Sequence, residues 1–186
     1  MIYFHFKSPY FLIKGNLISS NLYVISLLVE KDKKILLALS TTRQSRKTIE
    51  YALSFAEKES ASLIALFVVD PDLPELIFGK LTDIGFLGEK PGEEVVKALL
   101  KEYRLRAEEK LKEIKDLADE KCIECKTIMR TGNFAEECLK FINEQKPILV
   151  VLTRAKRSNI SRFLFGSAVN EIKKKSSVPI KIVKED

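Results

Sequence analysis

PILVVLTRAKRSNISRFLFGSAV, running from Pro147 to Val169, is the stretch from which the fold is read. Ile148 to Leu152 is an unbroken apolar run of the kind a strand needs when both of its faces are covered. A polar, basic loop follows and ends at Gly166-Ser167, where an amphipathic segment begins. The order is therefore strand, loop, helix start. The first turn of a helix presents unpaired N–H groups and the positive end of the dipole, so Gly-Ser at that point suits an anion such as phosphate.

Working outward from this unit, the same alternation recurs upstream. Ile35 to Leu39 is a short apolar run, followed by the loop Ser40-Thr41-Thr42-Arg43-Gln44-Ser45, which is rich in helix N-cap residues. Ile49, Ala52, Leu53 and Ala56 then form one helical stripe, and Leu63 to Val69 reads as the next buried strand. Two strands joined through a helix, with no hairpin signal, predict a right-handed parallel βαβ unit. Asp70 to Gly92 carries three prolines and four glycines between apolar residues and reads as an irregular loop, either tucked on its own aromatics or presented as a lid or contact surface. Its carboxylates Asp70, Asp72 and Asp83 read as caps or solvated charges.

A long amphipathic helix is predicted from Glu93 to about Glu120, with Val96, Leu99, Leu100, Tyr103, Ala107, Leu111, Ile114 and Ala118 on one face. Ile123, Cys125, Thr127 and Met129 alternate as in a strand up to Gly132, and Asn133-x-x-Glu136 has the form of a capping box for a further helix. Ala168, Val169 and Ile172 mark the last helix. Val178 to Val183 is the last strand, placed near an edge by Pro179. Five strands and four helices in alternation predict a doubly wound open parallel sheet of the α/β class. Its ligand crevice lies at the carboxyl ends of the strands, where the strand order reverses.

Composition is consistent with one domain: 186 residues, 46% hydrophobic and 31% charged. The net charge of +6 is concentrated, with nine Lys/Arg against three Asp/Glu from Pro147 onward and 23 against 23 before it. That basic end is compatible with an anionic partner or with a plain solvated surface. Cys122, Cys125 and Cys138 are too few for a disulfide framework, which points to a reducing, cytoplasmic setting. The Cys122-x-x-Cys125 pair has no second pair and only His5 as a histidine, so it does not make a zinc site. It also straddles a strand start rather than a helix start, where a redox thiol is expected. Residues 1–33 read as an atypical extension: Lys7 and Lys14 are the only Lys, Arg, Asp or Glu before Glu30, and polar residues interrupt any span of the ~20 apolar residues a membrane helix needs. Three readings of it stand: an extra strand or arm, a weak membrane-contacting segment, or residues upstream of the natural start.

Residues 34–186 resemble the universal stress protein family. The resemblance rests on Ile35-Leu36-Leu37-Ala38-Leu39, Glu50-Tyr51-Ala52-Leu53, Leu66-Phe67-Val68-Val69-Asp70, Gly132 ahead of a helix with two glutamates, and Gly166-Ser167 before a basic helix and a Val-Pro strand. It implies a sheet of adenine-nucleotide α-hydrolase-like form, in strand order 3-2-1-4-5, and a homodimer paired through Val178 to Val183. Members that bind ATP carry G-x2-G-x9-G-[ST] after the fourth strand and an Asp after the first. Those positions fall on Thr153, Lys156, Gly166 and Ser167, and on Ser40. Only the closing Gly-Ser is kept, and Ser40 offers a neutral contact where Asp would offer a charged acceptor.

The binding residues this implies are Ser40, Val69, Thr153, Arg154, Lys156, Gly166 and Ser167. Arg154, Lys156, Arg157 and Arg162 supply positive charge near the phosphate side, and Ser158, Ser161 and Ser167 supply donors. No G-x-S-x-G elbow, metal-ligand cluster or histidine-based catalytic set is visible, so a non-enzymatic role is expected. Two functional readings follow: a cytoplasmic stress-response regulator holding ATP or another nucleotide, and a ligand-free protein-interaction module using the basic loop and the 70–92 insertion. Nucleic acid is not favoured, because only Phe163 and Phe165 accompany the basic cluster.

Overall fold

The computed structural model describes residues 10–13, 16–19, 33–88, 92–154 and 168–184. Among these, β1 (Tyr10–Ile13) and β2 (Asn16–Ser19) pair antiparallel as a separate two-stranded hairpin. The remaining elements alternate. They are β3 (Lys34–Ser40), α1 (Arg46–Glu59), β4 (Ser62–Val69), α2 (Leu73–Asp83), α3 (Glu93–Glu120), β5 (Cys125–Thr131), α4 (Phe134–Gln145), β6 (Leu149–Arg154), the helical residues 168–175 as α5, and β7 (Ile180–Lys184).

The five main strands are all parallel and lie in the order β5-β4-β3-β6-β7. Counted from Lys34, that is 3-2-1-4-5, the predicted order. The central strands read as continuous apolar runs because both faces are covered. Ile35, Leu37 and Leu39 of β3 join a core with α1 and α3, whereas Leu36 and Ala38 join a second core with α4 and α5. Burying each such side chain contributes roughly 1.5–3 kcal/mol, so the central strands carry much of the core's stability.

The segment read as an irregular loop differs from expectation: Leu73–Asp83 of the 70–92 insertion is helical, which raises the helix count among the described residues to five. Its prolines and glycines misled for a physical reason. Pro74 sits in the first turn, where a missing N–H costs nothing, and Gly79 lies in open space with nothing within 4 Å of the Cβ it lacks. Asp70 starts the turn by accepting the Asp72 N–H on Oδ1 at 3.0 Å. Elsewhere the local signals hold. Asn133 caps α4 by accepting from the N–H groups of Ala135 and Glu136 at 2.9 and 3.3 Å, and β7, introduced by Pro179, is an edge strand. No helix among the described residues is long and apolar enough to cross a membrane.

Candidate functional site

The strand order reverses between β3 and β6. From β3 the chain crosses to α1 on one face, while β6 leads toward α5 on the other, so a crevice opens at their carboxyl ends. The sheet is aliphatic up to this edge and polar at it. Every buried polar or charged residue among the described residues, namely Ser40, Arg43, Ser45, Thr48 and Thr153, lies at the end of β3, in the loop after it, in the first turn of α1 or at the end of β6.

The loop after β3 is tightly folded. Ser40 N–H donates to the Arg43 carbonyl at 3.1 Å and Arg43 N–H to the Ser40 carbonyl at 2.9 Å, closing Thr41 and Thr42 into a turn. Gln44 Nε2 holds the Thr41 carbonyl at 3.1 Å, and Ser45 then starts α1, its carbonyl accepting from Thr48 and Ile49. The turn sends Arg43 back over the sheet edge. Arg43 is 4% exposed as a residue, and its guanidinium lies 4.8 Å from the centre of the Phe134 ring and reaches Ser40 Oγ at 3.4 Å and Thr42 Oγ1 at 3.5 Å. Burial pulls the Arg43 pKa below its ordinary value, opposed by the nearby Cys138 and Asp70. Burial likewise raises the Asp70 carboxyl, opposed by the Asp72 N–H and by Arg43. Thr41 Oγ1 is buried and has no hydrogen-bond partner among the described residues.

The two faces of the crevice differ. On the α1 face, Thr153 Oγ1 donates to Thr48 Oγ1 at 2.9 Å, with both residues fully buried. On the other face, Arg154 is partly exposed and its Nη2 donates to Asn170 Oδ1 of α5 at 3.2 Å. Ala38 pairs with Leu152, so two residues further on Ser40 and Arg154 end adjacent strands on the same face. Ser40 and Arg154 thus share one face of the sheet edge, whereas Thr153 is buried on the opposite face against Thr48. Val69 ends the neighbouring strand, but its side chain is in the core and its carbonyl accepts the Gly132 N–H at 3.1 Å. Lys156, Gly166 and Ser167, with Arg157, Ser158, Ser161, Arg162, Phe163 and Phe165, lie outside the described residues.

Sequence reasoning missed Arg43, Thr41, Thr48 and Phe134 as site groups. Thr48 lies three residues past the cap-rich loop, and nothing in the spacing of Arg43 signals a buried guanidinium. The two buried cysteines are not poised for chemistry. Burial pushes the Cys125 thiol up to about 11 and raises Cys138 as well, despite the proximity of Arg43, while Cys122 is exposed. Among the described residues no group of three or more His, Cys, Asp and Glu converges as a metal site would require. Away from the crevice, a groove of about 480 Å³ separates α2 from α3, lined by Pro71, Glu75, Phe78, Val96 and Leu100.

Comparison with known proteins agrees with this architecture. The family model described as the universal stress protein family matches residues 32–184. The universal stress protein MJ0531 of Methanocaldococcus jannaschii is 26% identical over 153 residues, covering 82% of each chain. Among solved structures, the universal stress protein UspA from Lactobacillus plantarum superposes with a TM-score of 0.62 at 15% identity, over 82% of this chain and 98% of its own. A universal stress protein solved in complex with cAMP superposes with a TM-score of 0.55 at 16% identity, over 84% of this chain and 100% of its own.

Proposed function

Because the chain belongs to the universal stress protein family, we propose that it is a regulatory binding protein of the stress response that holds an adenine nucleotide at the crevice between β3 and β6. The observation that carries this reading is the confinement of buried polar groups to that crevice. Burying a hydroxyl or guanidinium costs free energy that a fold avoids where an aliphatic residue would serve. Five such residues at the switch point, and a buried Thr41 hydroxyl beside them, fit a lining made for a polar ligand. The cAMP held by one neighbour in fold supports the choice of nucleotide class.

In this reading Ser40 and Arg154 contact the ligand from the strand ends, Val69 and Thr153 form the wall of the crevice behind them, and Lys156, Gly166 and Ser167 contact it from the following loop. ATP is the nucleotide that the family resemblance favours. The protein acts by binding rather than by catalysis, in the cytoplasm. Residues 1–33 form an extension to the binding unit. Two copies pair through β7, whose edge position leaves one side of its backbone open to a second strand.

Melting of the full chain with and without ATP tests the nucleotide reading. A ligand present at a hundred times its Kd adds about 2.7 kcal/mol to the folded state, so the midpoint rises measurably. An unchanged midpoint with millimolar ATP and with millimolar cAMP would remove this function.

A further inference from the structure

The long helix α3 carries one apolar stripe, and the sheet covers only half of it. Its buried residues are Ala107, Leu111, Ile114 and Ala118, all in the second half, where the helix lies against β4 and β5. Val96, Leu99, Leu100 and Tyr103 continue the stripe at helical spacing toward the N-terminus and stay partly exposed. The helix beside them is α2, which buries only Leu73 and Pro74 of its own residues. Between the two runs the groove of about 480 Å³, walled by Pro71, Phe78, Val96 and Leu100. On α2, the turn after it and the first turn of α3, Leu76, Ile84, Phe86 and Val95 are 49%, 62%, 75% and 51% exposed. They are four of the seven exposed large apolar side chains among the described residues, a concentration that marks an interaction face rather than scattered surface leucines.

The charge of this face selects its occupant. From Asp72 to Lys97 the chain carries six Asp/Glu against three Lys. Lys80 pairs with Asp83 at 3.4 Å and Lys97 with Glu93 at 3.3 Å, whereas Glu75, on the groove wall, and Glu94 have no ion-pair partner among the described residues. A second copy of the same face, or an anionic membrane surface, would set like charges together. The partner that fits is apolar and cationic. Residues 1–29 have that composition, with six Tyr/Phe, Lys7 and Lys14, and no Asp or Glu. They also gain from a cover: β1 and β2 pair only with each other among the described residues, and a two-stranded hairpin alone is marginal in water.

The reach is sufficient. The extension joins the domain at Lys34, the amino end of β3, and the groove lies at the opposite end of the sheet, where Pro71 follows β4. The strand between these ends is roughly 20 Å long. Residues 20–32, which connect β2 to the domain, span up to about 45 Å when extended. We propose that residues 1–29 dock in the groove between α2 and the first half of α3 of their own chain, their apolar residues covering Phe78, Val96 and Leu100 and their lysines matching Glu75 and Glu94. The extension is then an intramolecular ligand of the domain.

Photocrosslinking in the full chain tests this, with p-benzoylphenylalanine placed at Phe78 in the groove and, separately, at half-exposed Val95 beside it. The Val95 position leaves the core untouched, so it reports even if the Phe78 variant fails to fold. Both give a product of monomer mass whose crosslinks map to residues 1–29. Amide exchange of the full chain shows residues 10–19 protected. Combining Glu75→Lys with Glu94→Lys, both exposed, speeds that exchange at least about threefold at low ionic strength, as reversing two surface charges opposite cations does. No crosslink to residues 1–29 from either position, crosslinks at dimer mass or to another protein, or exchange of residues 10–19 as fast in the wild type as in the double variant would overturn the proposal. None of these outcomes bears on the crevice between β3 and β6, so the nucleotide reading is tested separately.

Discussion

Replacing Thr48 and Thr153 by valine, singly and together, measures how the α1 face of the crevice is held. The two hydroxyls lie 2.9 Å apart, one on the first turn of α1 and one at the end of β6, and both residues are fully buried. Valine keeps the branched shape and removes the oxygen. Each single change strands the other hydroxyl in an apolar setting, at a cost of about 1–3 kcal/mol. The double change removes both partners, so its cost falls below the sum of the singles by about 1–3 kcal/mol. Equilibrium urea denaturation at constant m reads these values. In thermal melts, each kilocalorie corresponds to a fall of about 2–4 °C for a chain of this size. Single variants as stable as the wild type, or a double variant whose cost is the plain sum, would refute the reasoning. The hydrogen bond would then contribute nothing that water does not replace, and the α1 face of the crevice would be wet.

Two further outcomes follow from local geometry. Gly132 has φ +148°, and a Cβ there would meet Glu137 Cγ at 3.1 Å, so Gly132→Ala destabilises by about 1–3 kcal/mol in the same denaturation assay; wild-type stability would contradict the strain argument. At neutral pH a maleimide labels Cys122 in the native protein, whereas Cys125, with its thiol near 11, and the buried Cys138 react only on unfolding; native labelling of Cys138 at the rate of Cys122 would contradict their burial.

Much of the fold is legible in the chain because its three central strands are buried on both faces. Runs such as Ile35 to Leu39 and Leu63 to Val69 have few other solutions in water, and parallel strands joined by helices leave little freedom in topology. The helix Leu73–Asp83 was not legible, because Pro74 and Gly79 count as breakers unless one knows that they occupy a first turn and an open face. The site is partly legible. Ser40 and Thr153 are reached only through the family resemblance, and the structure sets them, with Arg154, at the ends of β3 and β6. Arg43 is not reached, since its burial depends on a turn that folds it onto Phe134, a residue ninety-one positions away. Hydrogen-bond pairing across that distance, as between Thr48 and Thr153, leaves no mark in local spacing.

Photolabelling with 8-azido-ATP, followed by mass spectrometric mapping, tests the nucleotide crevice most directly. The full chain is irradiated with and without competing ATP, and the labelled peptides are identified. The nucleotide reading predicts label suppressed by ATP and confined to peptides at the ends of β3, β4 and β6, those holding Ser40 to Ser45, Val69 to Asp70, and Thr153 to Arg154 with the loop that follows. Label that ATP does not suppress, or suppressible label centred on the groove between α2 and α3, would contradict it.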